Sequence, residues 1–233
     1  MKHFYFLLFF IFLFEVSSHS NSTYFNKYTE AFESNSFYPN LTQNYQFSSI
    51  KNSYIQQKKW VNYLLTKEFK KYGYKSTLTS KEEQELYNIN NPIFGVILTK
   101  NSLYNFDIIY KKDFLNPFLT IKLGVKIKKD IKKEIENSYD LKNYIQKIYP
   151  IAEITDYKFK NLNNITYNDL IVSNIGQTQF IKGDRVYFKH VGNLNVKVKH
   201  DSKTNINSKT YTSEEILNQL KWIINRALIN DWE

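Results

Sequence analysis

The stretch "NPFLTIKLGVKIKKDI", residues 116–131, alternates between apolar and polar residues as a strand with one buried face does. Its apolar side chains fall two residues apart, at Leu119, Ile121, Leu123, Val125 and Ile127. The intervening positions are Thr120, Lys122, Gly124, Lys126 and Lys128. The pattern predicts a strand over residues 118–128. Its first face should lie in an apolar core, and its second face begins with Thr-x-Lys.

The composition is that of a chain able to bury a core, because 42% of its 233 residues are hydrophobic and 17% are aromatic. The formal net charge of +10 is spread along the sequence, with the densest run of lysines over residues 126–133. That run lacks the interleaved aromatic and glycine residues of an RNA-binding strand. We therefore expect a solvated basic face and no nucleic-acid partner, with weak attraction to anionic surfaces or polymers as the alternative.

Residues 1–18 have the features of a signal peptide. Lys2 and His3 precede an apolar run over residues 4–14, and small residues follow at 16–18. As a helix this run spans about 17 Å, against roughly 30 Å of membrane hydrocarbon, so a stable membrane span is not expected. We expect cleavage near Ser18 and export, to a periplasm, an organelle lumen or the cell exterior. The absence of cysteine means that the exported protein has no disulfides.

The rest of the sequence divides into a lead-in and one domain. Residues 19–48 show no clean period and predict a loosely ordered segment with one helix around residues 24–32, whereas residues 49–233 predict the folded domain. Within the domain, Thr79 or Ser80 followed by Glu82 and Glu83 predicts a short capped helix. Periodicity predicts helices over 49–72, 130–148 and 213–230, strands at 93–98 and after Pro150, and a hairpin over 185–200. This order is an α+β plan.

One carboxylate stands out in the strand after Pro150. Alternation places Glu153 on the same face as Ile151, Thr155 and Tyr157. A buried carboxylate requires a partner, because an isolated charge in an apolar environment is costly. Familiar motifs are lacking elsewhere: the six glycines never cluster into a phosphate loop, and the four histidines form no pair three or four residues apart.

Several segments, taken in order, carry a resemblance to one family. They are "YGYKSTLTSKEEQ" (72–84), "NPIFGVIL" (91–98), the stretch at 116–131, "YPIAEITDYKF" (149–159), "NDLIVSNIGQTQFIKG" (168–183) and "LNQLKWIINRAL" (217–228). In order and spacing they resemble the 2-oxopent-4-enoate hydratases and their 2-oxo acid decarboxylase relatives. The resemblance covers about residues 50–230. It implies the fumarylacetoacetate hydrolase-like fold, an α+β fold with a mixed strand core and flanking helices.

The resemblance also implies a reaction and a set of site residues. Members of the family are lyases in which Mg²⁺ or Mn²⁺, held by a Glu-x-Glu pair and a third Glu, chelates a 2-oxo acid. By this resemblance the catalytic lysine is Lys75 and the third Glu is Glu153. Asn174, with Asp169, matches an Asp-x-x-x-x-Asn segment of the family. The family's turn corresponds to Thr79 and Ser80.

The sequence departs from the family where the metal should bind, because the Glu-x-Glu pair falls on Thr120 and Lys122. The ammonium of Lys122 beside Glu153 is then expected to replace the cation, and no Mg²⁺ or Mn²⁺ is expected to bind. The alternative is a slipped alignment with Lys122 extending to solvent from an edge strand. The sequence also ends at Glu233, before a glycine-rich strand pair of the family. The fold is therefore expected to be incomplete at the C-terminus.

Two functions remain open. The first is an exported, hydratase-like protein that lacks the metal-dependent activity and acts as a binding or interaction module for a small carboxylate, with Thr79, Ser80, Thr120 and Asn174 around the ligand. The second is an active lyase on a 2-oxo or 2-hydroxydienoic acid, in which Lys122 replaces the metal or Lys75 acts as an amine. A basic surface protein that binds an anionic polymer is a third interpretation. The sequence gives no oligomeric state.

Overall fold

The helices and strands of the computed structural model lie within residues 15–41, 49–100, 108–185, 193–200 and 205–230, which are the residues that the structure describes. The helices are α1 (Glu15–Glu33), α2 (Ile50–Leu65), α3 (Lys81–Leu86), α4 (Tyr167–Val172) and α5 (Ser213–Ile229). The strands are β1 (Lys70–Thr77), β2 (Ile93–Thr99), β3 (Pro117–Ile127), β4 (Ile145–Asp156), β5 (Gln177–Lys182), β6 (Leu194–His200) and β7 (Asn205–Tyr211). This is the expected α+β fold.

The strands form three antiparallel sheets. β1 pairs with β2, β4 lies between β3 and β5, and β6 pairs with β7. Strand β6 lies in the second half of the hairpin predicted over residues 185–200, and it pairs with β7, which follows it. Residues 186–192 of that predicted hairpin lie outside the described residues, so the hairpin remains a prediction.

The structure describes only part of the N-terminal region. The apolar run over residues 4–14 lies outside the described residues. Helix α1 begins at Glu15 and continues through Ser18. Cleavage near Ser18 remains a prediction. In the parts of the chain that the structure describes, no helix is both long and apolar enough to span a membrane.

Helix α1 and residues 34–41 after it contribute to the main core. This differs from the loosely ordered lead-in that the sequence predicts for residues 19–48. Tyr24 and Tyr28 are buried. The ring of Tyr28 stacks on Tyr38 with centroids 4.0 Å apart and meets Trp60 of α2 edge-on at 4.8 Å. Aromatic side chains bury large apolar areas, so residues 24–41 contribute to the core despite their irregular period.

Two helix predictions are wrong: one helix is shorter than predicted, and the other does not form. α2 begins after the Ser49 cap but ends at Leu65 rather than near residue 72, because Glu68 has a left-handed φ of +67° and the chain then enters β1. Residues 130–148 form no α-helix. They contain a 3₁₀ turn at Ser138–Asn143, and β4 begins at Ile145. Pairing of β4 with β3 overrides the helical spacing of the apolar residues there.

The apolar face of β3 is only partly buried, which corrects the expectation for residues 116–131. Leu123, Val125 and Ile127 pack against a second core cluster that includes Leu217 and Leu220 of α5. At the start of the strand, by contrast, Leu119 is 66% exposed and Ile121 is 37% exposed. Helix α5 therefore covers one end of this sheet face and leaves the other end open to solvent.

Helices α3, α4 and α5 each begin at a capping box. Ser80 and Glu83 form a capping box at α3, as the sequence predicts. Equivalent boxes begin α4 at Thr166 and α5 at Thr212. Helix α5 corresponds to the closing helix predicted over 213–230.

Candidate functional site

Strands β1, β3 and β4 bring two lysines and one glutamate together. Glu153 on β4 lies opposite Thr120 in the β3–β4 register, and Lys122 is two residues further along β3. Lys75 reaches the same carboxylate from β1. Its Nζ lies 2.9 Å from Glu153 Oε1, and Lys122 Nζ lies 2.7 Å from Glu153 Oε2. The three residues selected from the sequence as catalytic candidates are therefore neighbours.

Lys75 is held at the bottom of this cluster by the loop between α4 and β5. Its side chain is 4% exposed, and its ammonium also donates to the carbonyl oxygens of Ile175 at 3.2 Å and Gly176 at 3.5 Å. Gly176 has a φ of +68°, and an added Cβ would lie 2.5 Å from Thr155 Cγ2. Glycine is thus required for the loop backbone to pass so close to Thr155, in the conformation in which its carbonyl group accepts from Lys75.

Lys122 lies at the outer side of the cluster. Its side chain is 26% exposed, and besides Glu153 it donates to the carbonyl oxygen of Ser76 at 3.1 Å. The side chain therefore points into the cluster instead of extending freely to solvent. An ammonium has three N–H groups, and these two acceptors leave one donor for a further partner.

The pKa values of Lys75 and Glu153 are both lowered, for different reasons. Burial lowers the pKa of Lys75 to about 8, with Glu153 opposing the shift and Lys122 adding to it. Burial raises the pKa of Glu153, but the charges of Lys75 and Lys122 outweigh burial and hold that pKa at about 2. Burial therefore favours the neutral form of Lys75, whereas the two ammonium groups favour the charged form of Glu153.

The other residues expected around a ligand are differently placed. Thr120 is exposed, with its Oγ1 3.5 Å from Glu153 Oε2, a marginal hydrogen bond. Thr79 is exposed, and Ser80 caps α3. Asn174 is buried and bridges to β2: its Oδ1 accepts from the Val96 N–H and its Nδ2 donates to the Val96 carbonyl, each at 2.7 Å.

Asp169, which the resemblance pairs with Asn174, also has a structural contact set. Its carboxylate accepts from the Leu41 N–H at 2.6 Å and from the Thr166 N–H at 2.9 Å. Ser80, Asn174 and Asp169 thus stabilise backbone, and the structure does not bring their side chains into the lysine–glutamate cluster.

Sequence reasoning missed the backbone part of the site. The carbonyl groups of Ser76, Ile175 and Gly176 hold the lysines, and a carbonyl is present in every residue, so side-chain patterns do not reveal it. The sequence "NIG" at residues 174–176 contains Asn and Gly, the residues that favour left-handed backbone, and all three residues have positive φ in the structure. Such a run of left-handed backbone is uncommon and marks a constrained loop.

The cluster does not fit a divalent cation. Both oxygens of Glu153 accept from lysines, so a metal ion there would face two ammonium groups. Throughout the described ranges, no group of three His, Cys, Asp or Glu side chains is arranged to hold a metal ion. Oxygen ligands of the kind that Mg²⁺ and Mn²⁺ require are therefore not assembled by these residues.

Of the comparisons with known proteins, the one with solved structures finds similar folds. No protein-family model matches the chain, and no curated protein sequence matches it. Among solved structures, it is similar to 4-oxalocrotonate decarboxylase from Pseudomonas putida G7 complexed with magnesium and adipate, with a TM-score of 0.72, 16% identity, and coverage of 88% of this chain and 79% of that chain. The same decarboxylase complexed with calcium and acetate gives a TM-score of 0.70, 15% identity, and coverage of 88% and 78%.

These similarities define the class of fold. The chain has an α+β fold of the fumarylacetoacetate hydrolase-like type, shared over most of its length with this 4-oxalocrotonate decarboxylase. At this level of identity the likeness is one of fold, and function has to be argued from the site.

Proposed function

We propose that this chain is an exported hydratase-like protein that lacks the metal-dependent lyase reaction of the proteins it resembles and binds a small carboxylate at the Lys75–Glu153–Lys122 cluster. The observation that carries the proposal is the pair of ammonium groups on one buried carboxylate, at 2.9 and 2.7 Å. The lysines occupy the place of a cation and leave the site with one excess positive charge. An anionic ligand is the partner that such a site favours.

The geometry indicates how the ligand would be held. Lys75 is enclosed by Glu153 and the loop carbonyls, so the ligand carboxylate would meet Lys122, which is partly exposed. Thr120 is exposed on the same face of β3 and can add a hydroxyl donor. Glu153 then acts by positioning both lysines, since it neutralises one charge and orients the other.

Binding can be tested by isothermal titration calorimetry of the mature protein with acetate and with 2-oxopentanoate. We expect Lys122→Gln to abolish binding, while Lys128→Gln leaves it intact. Lys128 is exposed beyond the end of β3 and provides the same charge change outside the cluster. Equal loss in the two variants, or no binding by the parent protein, would contradict the proposal.

The absence of metal chemistry needs a separate assay. The protein is incubated with a 2-hydroxydienoate or a 2-oxo acid, with and without Mn²⁺, and the dienol absorbance is followed. We expect no metal-stimulated turnover. Turnover that requires Mn²⁺ and disappears in Glu153→Gln would overturn this part of the proposal.

The lowered pKa of Lys75, about 8, favours a second candidate, a lyase that uses this amine. The neutral amine would add to the carbonyl carbon of a 2-oxo acid and release water to form an imine. Sodium borohydride reduces an imine to a stable amine. Mass spectrometry of the trapped protein would locate the adduct on Lys75, and Lys75→Met would abolish it. An unmodified Lys75 after trapping would exclude this candidate.

Export is the remaining part of the proposal. It rests on the apolar run at residues 4–14 and its flanking residues. Expression of the full chain in a host with a secretory pathway, followed by mass measurement of the recovered protein, tests it. We expect a mature N-terminus just after Ser18 in the exported fraction.

A further inference from the structure

Strand β3 is an edge strand with a long open side. It pairs with β4 over its whole length, and the order of its sheet is β3-β4-β5. Within the described residues, no strand pairs with its other side. The backbone N–H and C=O groups along an open edge are a template for an additional strand. With 11 residues, Pro117–Ile127, and a single proline at its beginning, β3 lacks the internal proline that often protects such edges.

The two faces of β3 carry different kinds of side chain, one apolar and one basic. At the open end, one face carries Leu119 and Ile121, which are exposed to solvent. The opposite face carries Lys122 and Lys126, and Lys126 lies directly opposite Lys147 of β4. Opposite charges on neighbouring strands stabilise their pairing, so an acidic neighbour is favoured beside these lysines.

A second copy of β3 is a poor partner for this edge. Its polar face over residues 118–126 reads Phe, Thr, Lys, Gly, Lys and contains no acidic residue. Pairing of two β3 strands would therefore bring lysines together without any carboxylate from either strand. Charge complementarity selects a different chain.

We propose that the open edge of β3 binds an extended acidic segment of a partner protein by strand addition. The bound segment alternates apolar and acidic residues: its apolar side chains cover Leu119 and Ile121, and its carboxylates face Lys122 and Lys126. Backbone hydrogen bonds along the edge provide affinity, and the alternating side chains select the segment. This inference shares Lys122 with the carboxylate site but does not depend on that site, because it also uses the backbone edge of β3, Leu119, Ile121 and Lys126.

Synthetic peptides test the inference directly. The probes are a fluorescent eight-residue peptide of alternating Val and Glu, the same peptide with Lys for Glu, and the Val-Glu peptide with alternate backbone amides N-methylated on its pairing edge. Binding to the purified protein is followed by fluorescence anisotropy. We expect binding of the Val-Glu peptide alone, since the Lys peptide is repelled and N-methylation removes backbone donors while retaining every carboxylate.

Protein variants locate the binding site. Lys126→Glu converts an attractive cross-strand pair into a repulsive one and should weaken binding about fivefold to tenfold. Lys51→Glu on α2 is the matched control, because Lys51 is also exposed and the change of charge is identical. Leu119→Asn tests the apolar face independently and should also weaken binding. Far-ultraviolet circular dichroism confirms that each variant remains folded.

Several results would overturn the inference. If the N-methylated peptide binds as well as its parent, attraction is electrostatic and the edge is not used. Equal effects of Lys126→Glu and Lys51→Glu would show the same. Dimerisation of the protein that Leu119→Asn disrupts, measured by analytical ultracentrifugation, would assign the edge to a second copy. Failure of these tests leaves the carboxylate proposal untouched, because acetate binding is expected to be lost in Lys122→Gln and kept in Lys126→Glu.

Discussion

Lys75 and Glu153 form an ion pair in which both side chains are almost fully buried, with 4% and 3% of their surfaces exposed. Removing two charges from water is costly, and their attraction repays that cost only where further hydrogen bonds complete the arrangement. Here the carbonyl groups of Ile175 and Gly176 and the second lysine, Lys122, provide them. The buried pair is therefore stabilised by these neighbours as well as by its own attraction.

The first prediction concerns the central carboxylate. Glu153→Gln leaves two ammonium groups facing one another without a counter-charge and should lower the free energy of unfolding by about 3–5 kcal/mol. Lys122→Gln removes a partly exposed charge and should lower it by at most about 1 kcal/mol. Urea denaturation of both variants provides the comparison. Equal losses would mean that Glu153 is not the centre of the cluster.

The second prediction concerns acid pH. The pKa of Glu153 is held at about 2 in the folded protein, against an ordinary value of 4.5. A lowered folded-state pKa contributes stability that is complete above the unfolded value and is lost as the pH falls. The stability difference between the parent protein and Glu153→Gln should therefore be present in full just above pH 4.5 and shrink between pH 4.5 and 2. Urea titrations at a series of pH values measure it, and a constant difference throughout would contradict it.

The third prediction concerns alkaline pH, where stability again rises with pH. The pKa of Lys75 is lowered to about 8 from an ordinary 10.5, so above pH 8 the folded protein holds fewer protons at this site than the unfolded chain. Stability rises with pH wherever the unfolded state binds more protons. The stability of the parent protein relative to Lys75→Met should therefore increase from pH 8 to 10. Urea unfolding measures this, and a relative stability that stays flat or falls across that range would refute the assignment.

Local signals in the sequence predicted some of these features well. The capping pattern at Ser80 gave α3, and the alternation after Pro150 placed Glu153 on a buried face. The resemblance to the hydratases then added Lys75 and Lys122, and the structure places both beside that carboxylate. Local patterns are informative where the partner lies within a few residues or where the period alone decides the face.

Features that depend on distant partners could not be obtained in this way. Residues 130–148 have apolar residues at helical spacing, but the last of them, from Ile145 onward, form β4 and pair with β3. The exposure of Leu119 depends on how far α5 extends over the sheet, which no local pattern reveals. Asn174 was taken as a ligand residue because a motif placed it there, whereas its partner is a backbone group on β2.

The last prediction tests that reassignment of Asn174. Its side chain pairs with both backbone groups of Val96, at 2.7 Å each, from a left-handed φ of +55°. Asn174→Ala should leave the buried Val96 N–H and carbonyl unpaired and lower the free energy of unfolding by about 2–5 kcal/mol, because an unsatisfied buried group costs about 1–3 kcal/mol. Acetate affinity, measured at a temperature where the variant is folded, should be unchanged. Normal stability with lost acetate binding would instead support the role that the sequence suggested for Asn174.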